Sequence, residues 1–270
     1  YSNAVAGKYG YVSLTTRFGN VCMPEIEVVD IAELKRKKLM NGPFSLVLLR
    51  EIRQALERKE QVILFQNRRG FAPVVECHVC GWTPQCPHCD VSLTFHKRSN
   101  SLTCHYCGFS TSVAQRCPQC DADRLSSKGY GTERIEDVLA SIFPDARVAR
   151  MDLDTTRSRS AYEGIIKGFQ RGDTDILIGT QMVTKGLDFR RVSVVGILNA
   201  STMLNQPDFR SYERAYQMMT QVAGRAGRSS AGNGQNVRPG RVILQVHDAK
   251  QPTVMQVVRG DFEGMFRTQM

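Results

Sequence analysis

Two kinds of segment are missing from the sequence. There is no apolar run of the about eighteen residues that a helix needs to cross a bilayer, so no transmembrane helix is expected. The N-terminal residues YSNAVAGKYG contain no apolar core of the kind found in secretion signals. We therefore expect a cytoplasmic protein without a membrane partner.

A complete nucleotide-binding site is missing as well. No stretch fits G-x-x-x-x-G-K-[ST]: Gly7 and Lys8 are followed by Tyr9, and Lys185 precedes Gly186 instead of following it. Such a loop supplies the backbone N–H groups and the lysine that hold the phosphates of a nucleotide. No acidic cluster of the D-E-x-H type follows an apolar strand either. These residues alone therefore do not form an ATPase site.

Charge of one sign dominates the chain. Lysine and arginine number 36 against 26 for aspartate and glutamate, which gives a formal net charge of +10. This excess favours a polyanionic partner, and nucleic acid is the first candidate. A basic surface with no binding role is the alternative, and composition does not decide between the two.

Cysteine is abundant, with nine residues in the chain. Eight of them form C-x2-C pairs, namely Cys77/Cys80, Cys86/Cys89, Cys104/Cys107 and Cys117/Cys120. A C-x2-C turn directs two thiolates at one cation, and two such turns complete a tetrahedral S4 zinc site. In a reducing compartment this clustering favours metal over disulfides. The sequence therefore predicts two structural Zn²⁺ ions.

Intact pairs can be combined in three ways. The inner two pairs have a spacing similar to that of zinc ribbons, and joining the outer two brings the ends of the block together, as an insertion into a sheet requires. We favour this nested arrangement, with one site from Cys77, Cys80, Cys117 and Cys120 and the other from Cys86, Cys89, Cys104 and Cys107. Since thiolates fill every position, a catalytic zinc with an open position for water is not expected.

The cysteine block also contains histidines and aromatic residues. With the thiolates complete, we interpret its four histidines as surface groups or as neighbours of the metal ligands. The aromatic residues either stack on bases or pack a small core, and packing is favoured for most of Trp82, Phe95, Tyr106 and Phe109.

Apolar strands alternate with amphipathic helices through the rest of the chain. The pattern predicts helices near residues 44–59, 132–142, 161–169 and 209–223, and strands near 61–65, 146–151, 175–179, 192–198 and 241–246. This alternation indicates an α/β fold with a parallel sheet covered on both faces.

The stretch DILIGTQMVTKGLDF is an apolar strand that runs into a polar loop. In open α/β sheets, ligands bind at the carboxyl ends of the strands. Gly186 permits close backbone approach, Asp188 is suited to a ribose hydroxyl, and Thr180 and Gln181 are suited to a nucleic-acid phosphate. A plain structural turn is the alternative.

The stretch QVAGRAGR follows a helical pattern and presents Gln221, Arg225 and Arg228. An arginine directed at a transferring γ-phosphoryl group stabilises the charge of the transition state. The alternative is a pair of surface arginines favoured by the dipole at a helix C-terminus. Two glycines, Gly224 and Gly227, favour the first interpretation, because the C-terminal cap of a helix needs only one glycine.

These stretches resemble known motifs. QVAGRAGR resembles motif VI of superfamily 2 helicases, and GTQMVTKGLDF resembles their motif V. The stretches FQNRRGFAP, GYGTERIEDVL, RMDLDTT and PDFRSYERAYQMMTQVAGRAGR, with the paired cysteines, are similar to the replication-restart helicases of that superfamily, the PriA family. The resemblance covers nearly the whole chain, and a cysteine-rich insertion in a second helicase lobe is specific to this family.

The resemblance implies a RecA-like second lobe of a bacterial 3′-to-5′ DNA helicase that hydrolyses ATP with Mg²⁺ and reloads replication at stalled forks. Its parts would be an inter-lobe segment (1–42), the helicase lobe (43–73 and 126–250), the two-zinc insertion (74–125) and the start of a truncated C-terminal domain (251–270). The phosphate loop would belong to a first lobe outside this chain, so the chain alone is expected to lack ATPase activity.

The resemblance also implies roles for individual residues. Arg225 and Arg228 would contact the γ-phosphate beside Gln221, and Gly186 and Asp188 would belong to the nucleotide-side loop. DNA contacts are expected from Thr180, Gln181, Thr132, Arg68 and Arg69. Ser201 departs from the family pattern, which usually has an acidic residue there. Expected partners are forked and single-stranded DNA, other primosome proteins, the single-strand DNA-binding protein and the first lobe, at the bacterial nucleoid.

Two other functions fit parts of the sequence. A zinc-ribbon module that recognises nucleic acid or proteins, with the α/β domain as its scaffold, explains the cysteines and the charge. Another superfamily 2 remodelling enzyme with a zinc insertion explains the two helicase motifs, but the cysteine spacing disfavours it.

Overall fold

The computed structural model describes residues 1–12, 22–67, 74–89, 91–96, 100–123, 125–126, 132–152, 155–184, 189–227 and 238–269. The strands are β1 (Glu25–Asp30), β2 (Met40–Asn41), β3 (Phe44–Ser45), β4 (Gln61–Phe65), β5 (Glu76–Cys77), β6 (Thr94–His96), β7 (Ser101–Thr103), β8 (Ser110–Ser112), β9 (Leu125–Ser126), β10 (Val148–Met151), β11 (Ile176–Gly179), β12 (Val192–Ile197) and β13 (Arg241–Val246).

The helices alternate with these strands. They are α1 (Ser2–Val5), α2 (Ile31–Arg36), α3 (Leu46–Glu57), α4 (Thr132–Ile142), α5 (Arg159–Arg171), α6 (Ser201–Leu204), α7 (Ser211–Ala223), α8 (Pro252–Arg259) and α9 (Phe262–Gln269), with a short 3₁₀ helix at Gln181–Thr184. Within the described ranges, no helix is both long and apolar enough to span a membrane.

Six strands form one parallel sheet in the order β1-β13-β12-β4-β11-β10. Apolar residues occupy both faces of the central strands: in β4, Val62 and Leu64 face one side, and Ile63 and Phe65 face the other. Helices α2, α3 and α4 pack on the first face, and α5, α7, α8 and α9 pack on the second. The predicted RecA-like α/β fold with a buried parallel sheet is therefore confirmed.

All six strands run in the same direction, so all of their first residues lie along one side of the sheet and all of their last residues lie along the opposite side. We call these two sides the edges of the sheet. The carboxyl edge is the row where the strands end, from Asp30 to Met151, and the amino edge is the row where they begin. The N-terminal ends of β4 and β12 lie side by side at the amino edge, where the Gln61 N–H donates to the Arg191 carbonyl at 2.9 Å.

The sheet extends beyond the limits expected for the helicase lobe. β1 pairs with β13 along its whole length, because Val28 and Val29 continue the apolar layers of the sheet. The expected inter-lobe segment at 1–42 therefore contributes an edge strand. Likewise, Val254 of α8 and Met265 of α9 are buried in the core beneath α7. Residues of α8 and α9 therefore contribute to the same hydrophobic core, and the expected domain limits stay a prediction.

The cysteine-rich segment forms a small module between β4 and α4. β5 and β9 pair antiparallel, with Cys77 opposite Leu125, so the described entry and exit of the module lie together. β6, β7 and β8 form a three-stranded antiparallel sheet. A satellite core that includes Val75, Leu93 and Leu102 fills the module. The described parts thus match an insertion whose ends meet at the carboxyl edge.

Candidate zinc centres and motor surface

The eight paired cysteines form two clusters. Cys77, Cys80, Cys117 and Cys120 make up site 1, and Cys86, Cys89, Cys104 and Cys107 make up site 2; within each, the Sγ atoms lie within 4.8 Å of one another. This is the nested combination of pairs.

The sulfur spacing fits a metal site. The Sγ–Sγ distances are 3.7 Å for Cys77 and Cys120, and 3.5 Å for Cys86 and Cys107. A tetrahedral ion with Zn–S bonds of about 2.3 Å places its sulfurs about 3.8 Å apart, whereas a disulfide needs about 2.0 Å. Both clusters of four cysteines therefore fit a structural Zn²⁺ ion.

Each ligand pair lies in a tight turn that directs backbone N–H groups towards the sulfurs. Gly108 closes one such turn with φ of +77°, and its N–H donates to the carbonyl of Cys104 at 3.0 Å. Burial alone would raise the pKa of Cys104, but hydrogen bonds from the backbone of Cys107 and Tyr106 lower it to about 7. The backbone hydrogen bonds of this turn thus favour the thiolate of Cys104, which is the form that binds zinc.

The aromatic residues of the module divide into two groups. Phe95 and Phe109 pack against the module core, and Trp82 is half-buried, as expected for packing residues. Tyr106 is instead 54% exposed, and its ring meets Phe209 of the lobe edge-on at a centroid distance of 6.3 Å. The expected packing role therefore holds for three of the four aromatic residues.

A polar cluster that sequence reasoning missed joins the module to the lobe. The Glu76 carboxylate, next to the first ligand of site 1, contacts Asn199 Nδ2 at 3.4 Å and His247 Nδ1 at 3.3 Å. On its other side, His247 Nε2 lies 3.2 Å from Lys35 Nζ. In the sequence, the one feature that could have pointed to this cluster is that His247 is the only histidine outside the cysteine block.

Ser201 has a structural role beside this cluster. Its hydroxyl accepts a hydrogen bond of 2.9 Å from the backbone N–H of His247, and Ser201 itself is buried. A serine thus connects the segment after β12 to the end of β13, at the position where the resemblance leads one to expect a carboxylate.

The three predicted DNA-contacting residues that the structure describes gather at the carboxyl edge. Thr180 follows the end of β11, and Gln181 Nε2 donates to Asn67 Oδ1, beyond the end of β4, at 3.3 Å. Thr132, at the start of α4, donates from its hydroxyl to the Asp152 carboxylate, beyond the end of β10, at 2.6 Å. Three neighbouring strands therefore end in one row of polar side chains.

Asp152 determines what Thr132 can do in this row. Burial opposes ionisation of Asp152, but hydrogen bonds from Thr132 and Thr155 and the nearby Arg150 lower the pKa of its carboxyl group. The ionised carboxylate takes the hydroxyl hydrogen of Thr132, which is then not free to donate to a phosphate. The side chain of Thr132 therefore positions α4, and a DNA contact by this residue stays a prediction.

The motif at the end of α7 lies at the opposite, amino edge. Gln221 is exposed on the last turn of the helix, whereas the Arg225 side chain is only 9% exposed. Gly227 has φ of +68°, and its N–H donates to the Val192 carbonyl at 2.9 Å. A Cβ at Gly227 would lie 2.5 Å from the backbone nitrogen of Gly240. This backbone contact fixes the course of the chain directly before Arg228.

We expect Gly227→Ala to destabilise the chain more than Gly260→Ala does. Both glycines have a positive φ, but a Cβ at Gly260 would meet open space. We expect a loss of about 3 kcal/mol in the free energy of unfolding for Gly227→Ala, from strain plus overpacking, and about 1 kcal/mol for Gly260→Ala, from strain alone. Urea unfolding of both variants measures the difference; equal losses would contradict the close contact at Gly240.

Five predicted site residues lie outside the described residues. They are Arg68 and Arg69 after β4, Gly186 and Asp188 before β12, and Arg228 after α7. Their roles stay predictions.

Two family models match parts of the chain. Residues 86–111 match the family model described as the PriA DNA helicase Cys-rich region (CRR) domain, and residues 130–230 match the helicase conserved C-terminal domain. Among solved structures, Saccharomyces cerevisiae Dbp5 L327V bound to RNA and ADP BeF3 aligns with 98% of this chain and 45% of that chain, with 13% identity and a TM-score of 0.42.

Two curated relatives match the chain over nearly its full length. The replication restart protein PriA of Bacillus subtilis is 41% identical over 273 residues, which cover 100% of this chain and 32% of that protein. The protein of the same name from Haemophilus influenzae is 40% identical over 262 residues, which cover 97% of this chain and 34% of that protein. The chain spans about a third of the length of both relatives. With this identity, and with matches to both the cysteine-rich and the helicase family models, the chain belongs to the PriA family of replication restart proteins.

Proposed function

We propose that this chain is the second motor lobe of an ATP-dependent 3′-to-5′ DNA helicase that restarts stalled replication forks and assembles the primosome. The observation that carries the proposal is the arrangement of the lobe. The segment that resembles motif VI lies at the amino edge of the sheet, and a separate row of phosphate-suited side chains lies at the carboxyl edge. Two edges with different chemistry suit a lobe that contacts both a nucleotide and DNA.

In this proposal the amino edge faces ATP on a first lobe of the same protein. Arg228 contacts the γ-phosphate, beside Gln221, and stabilises the charge that develops during transfer. Arg225 is largely enclosed, so it is the second candidate for this contact. Gly186 and Asp188 belong to the nucleotide-side loop. ATP and Mg²⁺ are held mainly by the first lobe, which supplies the phosphate loop, and hydrolysis needs both lobes.

The carboxyl edge contacts DNA in this proposal. Gln181 and Thr180 donate to phosphates of the bound strand, and Arg68 and Arg69 add positive charge where β4 ends. Contacts to phosphates hold a strand without reading its sequence, which suits a motor that must act at any stalled fork. The net charge of +10 supports a polyanionic partner. Single-strand DNA-binding protein and other primosome proteins are the proposed protein partners.

Measuring ATP hydrolysis in the full-length protein and in residues 1–270 alone tests the proposal. We expect hydrolysis stimulated by forked DNA in the full-length protein and none in the isolated chain, because the chain has no phosphate loop. Unwinding of duplexes with a single 3′ or 5′ tail tests the polarity. Hydrolysis by the isolated chain at the full-length rate would contradict the two-lobe site, and unwinding that requires a 5′ tail would contradict the polarity.

A second function is favoured by one observation in the module. Tyr106 and Phe209 are exposed aromatic residues in mutual contact, and aromatic side chains at such positions stack on unpaired bases. The alternative is therefore a zinc module that binds single-stranded nucleic acid, with the lobe as its scaffold. The two functions are compatible. If Tyr106→Ala retained ATP hydrolysis but lost binding to single-stranded nucleic acid, that binding would be assigned to the module.

A further inference from the structure

The cluster at the junction between the zinc module and the lobe contains charges that the proposed motor does not use. It brings together α2 through Lys35, the end of β13 through His247, and β5 through Glu76. Lys35 is half-buried, and the His247 side chain is only 5% exposed. Buried ionisable groups are costly unless a partner compensates them, so each of these three side chains needs a partner that offsets its burial.

The protonation of His247 follows from its two neighbours. A lysine ammonium group can only donate, so Nε2 of His247 must accept from Lys35 across their 3.2 Å contact. Burial, together with the positive charge of Lys35, lowers the pKa of His247 to about 3. The ring is therefore neutral and carries its proton on Nδ1, which lies 3.3 Å from Glu76 Oε1 without making a hydrogen bond to it. His247 is thus an uncharged spacer between a cation and the zinc module.

The ring of His247 is also packed tightly against the first zinc turn. Gly81 directly follows the ligand Cys80, and a Cβ on Gly81 would lie 2.1 Å from Cγ of His247. The ring therefore abuts the turn that holds two of the site 1 ligands. This packing places the Lys35 amine on the lobe side of site 1, with a single imidazole and a carboxylate between it and the turn.

The charge of site 1 explains why a cation belongs there. Four thiolates around one Zn²⁺ ion carry a net charge of −2, and Cys77 and Cys117 are almost completely buried. Directly before Cys77 lies Glu76, whose carboxyl pKa is raised by burial, while Lys35 and Asn199 oppose this rise. Burial lowers the pKa of Lys35, while Glu76, Cys77 and Cys80 oppose this lowering by attraction. The amine and the site 1 thiolates therefore stabilise each other.

We propose that Lys35 is a positioning residue for site 1. Its positive charge stabilises the zinc thiolates from the lobe side and so couples zinc retention to the docking of the module. Groups outside the ligand shell of a metal commonly change its affinity by about 10- to 100-fold. Because Lys35 contacts His247, whose ring packs against the site 1 turn at Gly81, site 2 of the same chain serves as an internal reference.

The test is zinc release from the full-length protein in excess chelator, followed with a colorimetric zinc indicator. Lys35→Met keeps the length of the side chain and removes its charge, and Lys35→Glu reverses the charge. We expect one of the two ions to leave about tenfold faster in Lys35→Met and faster still in Lys35→Glu, while the other ion is unaffected. Alkylation of the freed thiols, mapped by mass spectrometry, should locate the loss at Cys77, Cys80, Cys117 and Cys120.

The matched control is Lys37→Met on the same helix. Lys37 is exposed and pairs with Glu33 at the surface, so its replacement should leave both release rates unchanged. Thermal unfolding of the lobe should stay near wild type in Lys35→Met, since an apolar side chain replaces a desolvated amine. Unchanged release from both sites, equal acceleration at both sites, or a selective effect at site 2 would each overturn the proposal.

Discussion

Arg228→Ala should abolish the DNA-stimulated ATPase activity of the full-length protein while its folding and zinc content stay intact. An arginine that reaches the transferring phosphoryl group contributes on the order of a thousandfold or more to kcat, because it neutralises charge that develops only in the transition state. ATP binding should weaken far less, since the phosphate loop lies on the other lobe. The measurement is kcat and KM for ATP with saturating forked DNA, together with zinc content and a melting curve.

Arg159→Ala is the control for this prediction. Arg159 is 92% exposed on α5 and pairs with Glu163 at the surface, so its loss removes equal charge outside the motif. We expect ATP hydrolysis within about twofold of wild type in this variant, since exposed ion pairs contribute little. Retained hydrolysis in Arg228→Ala would remove the assignment from Arg228 and make Arg225→Ala the next variant. Equal losses in Arg228→Ala and Arg159→Ala would instead indicate a general effect of charge on DNA binding.

Much of the fold was readable because its signals are local. QVILF is wholly apolar after its first residue and forms the buried strand β4 with the predicted limits, and Arg241–Val246 forms β13 as predicted. The nested grouping of the cysteines followed from chain closure, since an insertion must return to the sheet it leaves. Patterns of this kind depend on short stretches of sequence, which is why the sheet and the two clusters could be anticipated.

The rest depended on contacts between distant residues. β1 gave no clear signal, because its acidic residues Glu25 and Glu27 obscure the apolar ones; Arg241 on the neighbouring strand pairs with both at 2.6 Å. The junction joins Lys35 to His247 across 212 positions of sequence. No periodicity predicts such a contact. For the same reason the hydrogen bond from Thr132 to Asp152 was not anticipated, because Asp152 follows a strand that comes later in the chain.

Removing both zinc ions should unfold the cysteine-rich module and leave the six-stranded sheet intact. The module has only short strands and a small core, whereas structural zinc contributes an apparent free energy of about 10–16 kcal/mol per site in small zinc domains. Trp82, the single tryptophan of the chain, reports on the module selectively, because its carbonyl accepts from Cys77 N–H at 2.8 Å. We expect its emission to shift to the red after strong chelation, while far-ultraviolet circular dichroism changes little.

Two cysteine variants make this prediction specific. Cys104→Ser removes a buried site 2 ligand and should lower the zinc content from two ions to about one, with part of the emission shift. Cys22→Ser changes an exposed cysteine outside both clusters and should alter neither quantity. If Trp82 emission and protease resistance of the module stayed unchanged in protein shown to be free of zinc, the module would not depend on metal. The sulfur clusters would then need another explanation, since thiols held 3.5 to 3.7 Å apart are not joined as disulfides.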